Sequence, residues 1–124
     1  MILDSFAWIE LFIGSDKGKI VEKKITEAVD CFTSIISLGE ISEWCMKNGK
    51  NTEERIGIIK KYSVVIELNE SIAILAGKIN FEHKKSIKNW GMCDSIIYAT
   101  AKFYNLQVLT GDRHFQNLDG VIML

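Results

Sequence analysis

Residues 94–115 read DSIIYATAKFYNLQVLTGDRHF. Asp94 stands where a helix opens. Ile97, Ala101 and Tyr104 recur on one helical face, which predicts a helix to about Tyr104. Gln107 to Thr110 then reads as a short strand, and GDRHF, residues 111–115, as a loop. The same alternation runs back through the chain. Ile2-Leu3-Asp4 is a short buried strand, and Phe6, Ile9, Phe12 and Ile13 mark one face of the helix after it. Residues 17–29 predict a second helix with Ile20, Val21, Ile25 and Ala28 inward. Cys31 to Ser34 is a strand. Ser34 caps a helix to about Asn48 that carries Leu38, Ile41 and Cys45 inward and stops at Gly49. Asn51 to Glu54 opens a further helix, with Lys60 and Lys61 in its last turn, where the helix dipole favours cations. Ser63 to Leu68 is β-branched and strand-like, and Asn69 caps a helix with Ile72, Leu75, Ala76 and Ile79 on one face. Residues 84–91 form a polar, Lys-rich connection, and Val121 to Leu124 a last strand.

Strands separated by helices, with few hairpin signals, require right-handed crossovers and a mainly parallel sheet. With helices on both faces, the expected fold is a three-layer α/β/α domain spanning residues 1–124. In such sheets ligands sit beyond the carboxyl ends of the strands. The polar residues at those ends are therefore the candidates for chemistry.

Composition narrows the class. The chain has 124 residues, 48% of them apolar, enough for a packed core and too many for disorder. No apolar run approaches the roughly 18–20 residues of a membrane span, and no leader pattern opens the chain, so no membrane and a cytoplasmic location are expected. Cys31, Cys45 and Cys93 are three, unpaired by spacing, which fits a reducing compartment and no zinc site. Net charge is −1, which excludes a strongly basic nucleic-acid binder. With four of the 16 acids held in a metal site, however, 15 basic residues would face 12 acids, a balance suited to a polyanion.

Four acids fall at the strand ends or in helices that reach the same edge: Asp4, Glu40, Asp94 and Asp112. Singly, each has a structural use as a cap, a turn residue or a solvated helix residue. Together, four carboxylates repel one another and raise their pKa values unless a cation offsets the charge. All-oxygen ligation selects a hard ion, Mg²⁺ or Mn²⁺. Such an ion suits in-line hydrolysis of a phosphodiester, because it acidifies water and stabilises charge on phosphoryl oxygens.

Four blocks in order, MILDSFAWIELF (residues 1–12), FTSIISLGEIS (32–42), DSIIYATAKFY (94–104) and VLTGDRHF (108–115), resemble the signature blocks of the PIN-domain nucleases. The resemblance is greatest to the small VapC-type toxins of toxin–antitoxin pairs. It implies that Asp4, Glu40, Asp94 and Asp112 are metal ligands or carboxylates beside them. Ser5 and Thr110 would be supporting hydroxyls. It also implies an RNA substrate, a homodimer and a small antitoxin partner. One departure stands in the last block. Where some relatives carry an acid before the Phe, this chain has His114.

Arg113 adjoins Asp112 and is the expected RNA phosphate contact, since guanidinium binds phosphate bidentately. Lys84, Lys85 and Lys88 read as a solvated loop, with an RNA backbone clamp as the alternative. His83 reads as a surface residue, and His114, next to the acids, as a solvated residue or a contact to phosphate or leaving group. Trp8, Trp44 and Trp90 read as core or dimer-interface residues, with the helix of Trp44 and Met46 as the expected interface. Phe6, Trp8 and Phe12 make the first helix more aromatic than one buried face needs, and the surplus is an expected docking surface for an antitoxin tail. The leading expectation is thus a metal-dependent endoribonuclease, the toxin of a pair. Its alternatives are an RNA-processing nuclease without an antitoxin and a catalytically inactive nucleic-acid-binding module. A phosphatase is disfavoured, because Phe6 occupies the place of the second Asp of an early Asp-x-Asp.

Overall fold

A computed structural model describes residues Met1–Leu124. Its strands are β1 (Ile2–Leu3), β2 (Phe32–Ser34), β3 (Val64–Ile66), β4 (Val108–Thr110) and β5 (Val121–Met123). Its helices are α1 (Ser5–Ile13), α2 (Asp16–Glu27), α3 (Ile35–Lys47), α4 (Thr52–Tyr62), α5 (Glu70–His83) and α6 (Met92–Phe103), and a single 3₁₀ turn covers Arg113–Phe115. All strand pairings are parallel, in the order β3-β2-β1-β4-β5. The chain builds outward from β1 to β3, then returns to the other side of β1 with β4. That reversal opens a crevice beyond the carboxyl ends of β1 and β4, the place where open parallel sheets hold ligands.

Strand side chains alternate between the two faces. Leu3 and Leu109 join Trp8, Val21, Ile41 and Ile59 in a core beneath α1 to α4. Their neighbours Ile2 and Val108 join Ile97, Tyr98, Trp90 and Phe115 in a second core on the opposite face. The expected three layers and parallel sheet are therefore present. The caps are also where the sequence puts them. Ser34 and Asn69 accept from the backbone N–H groups of Ile36 and Ile72, at 3.3 and 2.8 Å. No helix is long and apolar enough to cross a membrane.

Several expectations are corrected. The apolar stripe of α1 is wide enough to allow more than one inward face, and the face taken is Ala7 and Trp8, both fully buried. Ile13 is left 59% exposed at the helix end. Ile20 and Tyr104 likewise face solvent. The α1 aromatics are not a free docking surface. Trp8 is inside the core, Phe12 stacks between Trp8 and Trp44, and the Phe6 ring lies under Gly111. His83 is not a plain surface residue. Its ring packs 4.7 Å from Trp90 and 5.5 Å from Tyr98 between ring centroids.

Candidate active site

Asp4 leaves β1 and caps α1. Its Oδ1 accepts the N–H of Ala7 at 2.9 Å, and its Oδ2 accepts the hydroxyl of Thr110 from β4. The same Thr110 oxygen accepts the N–H of Asp112 at 2.9 Å, so one hydroxyl ties both acidic turns together. Asp4 is only 3% exposed. Burial pushes its carboxyl up to about 7, with the charges of Asp112 and Glu40 adding, against the opposing hydrogen bonds from Thr110 and Ala7.

Glu40 projects from α3, where its Oε1 accepts the Ser5 hydroxyl at 2.7 Å. Burial raises its pKa, the Ser5 bond lowers it, and the charges of Asp94 and Asp112 raise it further. Asp94 lies just inside the helix that the sequence opens at it. It is the third residue of α6, and its Oδ2 accepts the N–H of Gly91, the cap residue, at 3.0 Å. Burial leads the upward shift of Asp94, and the charge of Asp112 contributes. Asp112 caps the 3₁₀ turn by accepting the N–H of His114 at 2.9 Å.

The four sequence-selected acids lie close enough for their charges to act on one another, Asp112 and Glu40 on Asp4 and Asp94 and Asp112 on Glu40, but of the four only Asp94 and Asp112 belong to the group whose ligand atoms lie within 4.8 Å of one another. None of them pairs with a lysine or arginine. Ser5 and Thr110 both hold an acid of the cluster. Arg113 is exposed and beside it. The residue the sequence reading undervalued is His114. Ligand atoms of Asp94, Asp112 and His114 all lie within 4.8 Å of one another. Its signal in the sequence was its position, two residues after Asp112 in a turn too short to separate them.

Gly111 has a steric duty here. A Cβ at this position would stand 2.4 Å from the Phe6 ring, so any larger residue would have to displace that ring from under the acidic loop. Beside Ser5 and Glu40 lies an open hollow of about 260 Å³ lined by Ile9, Glu43, Trp44 and Lys47. The donor set, carboxylates of which Asp4, Glu40 and Asp94 have raised pKa values and none pairs with a lysine or arginine, fits a divalent cation.

The PIN domain family model matches residues 1–121. No curated protein matches the chain in sequence. Among solved structures, a toxin–antitoxin complex from Klebsiella pneumoniae is similar, with TM-score 0.79, 22% identity and coverage of 98% of this chain and 95% of that one. Mycobacterium tuberculosis VapC20, a sarcin-ricin loop cleaving toxin, aligns with TM-score 0.80 at 14% identity over 97% of this chain and 95% of that one. DNA-bound VapBC from Salmonella typhimurium aligns with TM-score 0.73 at 21% identity over 99% and 95%.

Proposed function

The chain belongs to the PIN-domain family of nucleases, and on that premise we propose that it is a Mg²⁺-dependent endoribonuclease, the toxin of a type II toxin–antitoxin pair. In this reading residues 1–124 form one nuclease domain that acts in the cytoplasm as a homodimer. The observation that carries it is the mutual proximity of Asp4, Glu40, Asp94 and Asp112, none of them paired with a lysine or arginine.

These four carboxylates would hold the ion, Mg²⁺ or Mn²⁺. When bound, such an ion lowers the pKa of water and stabilises charge on the phosphoryl oxygens. The rest is the work of the chain. Ser5 holds the carboxylate of Glu40, and Thr110 holds that of Asp4 while fixing the loop of Asp112. Arg113, exposed and next to Asp112, would grip a phosphate of the RNA strand. In-line displacement leaves 5′-phosphate and 3′-hydroxyl ends. It needs no 2′-hydroxyl, so preference for RNA comes from the groove.

An antitoxin partner is supported by the toxin–antitoxin complexes among the similar structures. A basic side chain of that partner would enter the acidic crevice. An apolar cleft of about 350 Å³ between α1, α2 and α4, lined by Leu11, Ile25, Ile58 and Tyr62, would receive its tail. The deciding experiment is cleavage mapping on total RNA with Mg²⁺ and with EDTA. Cuts at discrete sites that vanish with EDTA are expected, and cuts indifferent to EDTA refute the reading.

A further inference from the structure

The tightest group of donors in the crevice includes a nitrogen. Nδ1 of His114 lies 3.0 Å from Oδ1 of Asp112, and their side chains are 33% and 30% exposed. The backbone holds the two side by side, because the N–H of His114 also donates to that oxygen at 2.9 Å. The third member, Asp94, comes from α6 and brings its carboxylate within 4.8 Å of both. Two ligands about 2.1 Å from one ion, at right angles, stand about 3.0 Å apart. The Asp112–His114 spacing is thus already that of neighbouring ligands on one ion. The half-exposed side chains can close the remaining distance to Asp94.

We infer that Nδ1 of His114 is a ligand of the metal site beside Asp94 and Asp112, and that the site therefore binds Mn²⁺ more tightly than the Mg²⁺ it also takes. The inference rests on the metal-dependent nuclease reading above. Its chemistry is that of ligand type. Mg²⁺ takes oxygen ligands and parts reluctantly with its waters, whereas first-row ions accept imidazole. The majority of carboxylates keeps the site at the hard end of that series, where Mn²⁺ stands. The proton balance is simple. The carboxylate of Asp112 can only accept, so in the metal-free protein the proton of this contact sits on Nδ1. With a metal on Nδ1 that proton resides on Nε2, and a neutral ring changes tautomer without losing charge.

The test is Mn²⁺ binding to the intact chain at about pH 8, where histidine is neutral, read by electron paramagnetic resonance. The chain has two histidines. A nitrogen hyperfine coupling on bound Mn²⁺ is expected in the parent and absent from His114→Asp. That variant should also lose about tenfold in its preference for Mn²⁺ over Mg²⁺, read as displacement of bound Mn²⁺ by Mg²⁺. His114→Ala is the second variant should the aspartate prevent folding, which circular dichroism reads. Bound Mn²⁺ without nitrogen coupling, or a coupling that survives both substitutions, overturns the histidine ligand and leaves the nuclease reading standing. No binding of either ion overturns both.

Discussion

The hydroxyl of Thr110 donates to Oδ2 of Asp4 across 106 positions of sequence. The bond joins the ends of adjacent parallel strands and aims a buried carboxylate into the crevice. It offsets only part of the burial cost, since the Asp4 carboxyl still stands at about 7, against about 3.8 for an exposed aspartate.

Asp4→Asn should abolish metal-dependent RNA cleavage, with a loss of about 100-fold or more, and keep the fold. Asparagine caps a helix as well as aspartate does. The sign of the pH effect follows from the raised pKa. Between about 3.8 and about 7 the native state holds a proton at Asp4 that the unfolded chain releases. The stability due to Asp4 is fully present below that window and is lost as pH rises through it. Metal-free parent protein should therefore melt at lower temperature at pH 7 than at pH 5, and Asp4→Asn should flatten the difference. An equal slope in thermal melts of both proteins would sink the assignment.

Ser5→Ala should weaken metal binding and turnover by about tenfold, because Glu40 loses its only side-chain donor. Ser5→Thr, which keeps the hydroxyl, should recover most of the loss. The comparison is made by titrating metal against both variants and the parent.

Gly18→Ala should destabilise the fold despite the better helix propensity of alanine. The added Cβ would lie 2.1 Å from the Glu10 carbonyl oxygen, a backbone atom of α1 that cannot turn aside. Propensity gains at most about 1 kcal/mol, whereas overpacking costs about 1–3 kcal/mol. A lower urea midpoint at unchanged m-value is the expected result, and a higher midpoint would contradict it.

Dimerisation should use α5 together with the α3 surface expected from Trp44 and Met46. Trp44 is half-buried by its stack on Phe12, but Met46 on α3 is 76% exposed, and Ile74 and Phe81 on α5 are 56% and 66% exposed. Ile74→Glu should give the monomer mass by light scattering at concentrations where the parent is a dimer. A monomeric parent at high micromolar concentration would refute this.

Expression of the chain alone should slow growth, and Asp94→Asn should relieve it. A small neighbouring protein should inhibit the nuclease stoichiometrically. Harmless overexpression of an active nuclease with no such neighbour would favour RNA processing.

The elements were legible in the sequence because their signals are local. Ser34, Asn51 and Asn69 cap within three residues of themselves. Short buried runs such as Val108 to Thr110 mark strands wherever they occur, and alternation with helices leaves a parallel sheet as the economical arrangement. Once that sheet is assumed, Asp4 and Asp112 both fall at its carboxyl edge and were legible as candidates, whereas the adjacency of β1 and β4 that makes them neighbours was not. What the tertiary structure decided is which side chain meets which. A wide apolar stripe such as that of α1 reports a helix without selecting the inward face, and packing chose Ala7 and Trp8 over Ile13. The partnerships Ser5 with Glu40 and Thr110 with Asp4 depend on how the crossovers bring distant strand ends together. Asp94 and His114 meet only because α6 and the turn after β4 face the same crevice. Sequence spacing places a donor along one element, whereas its distance to donors on other elements is set by how those elements pack.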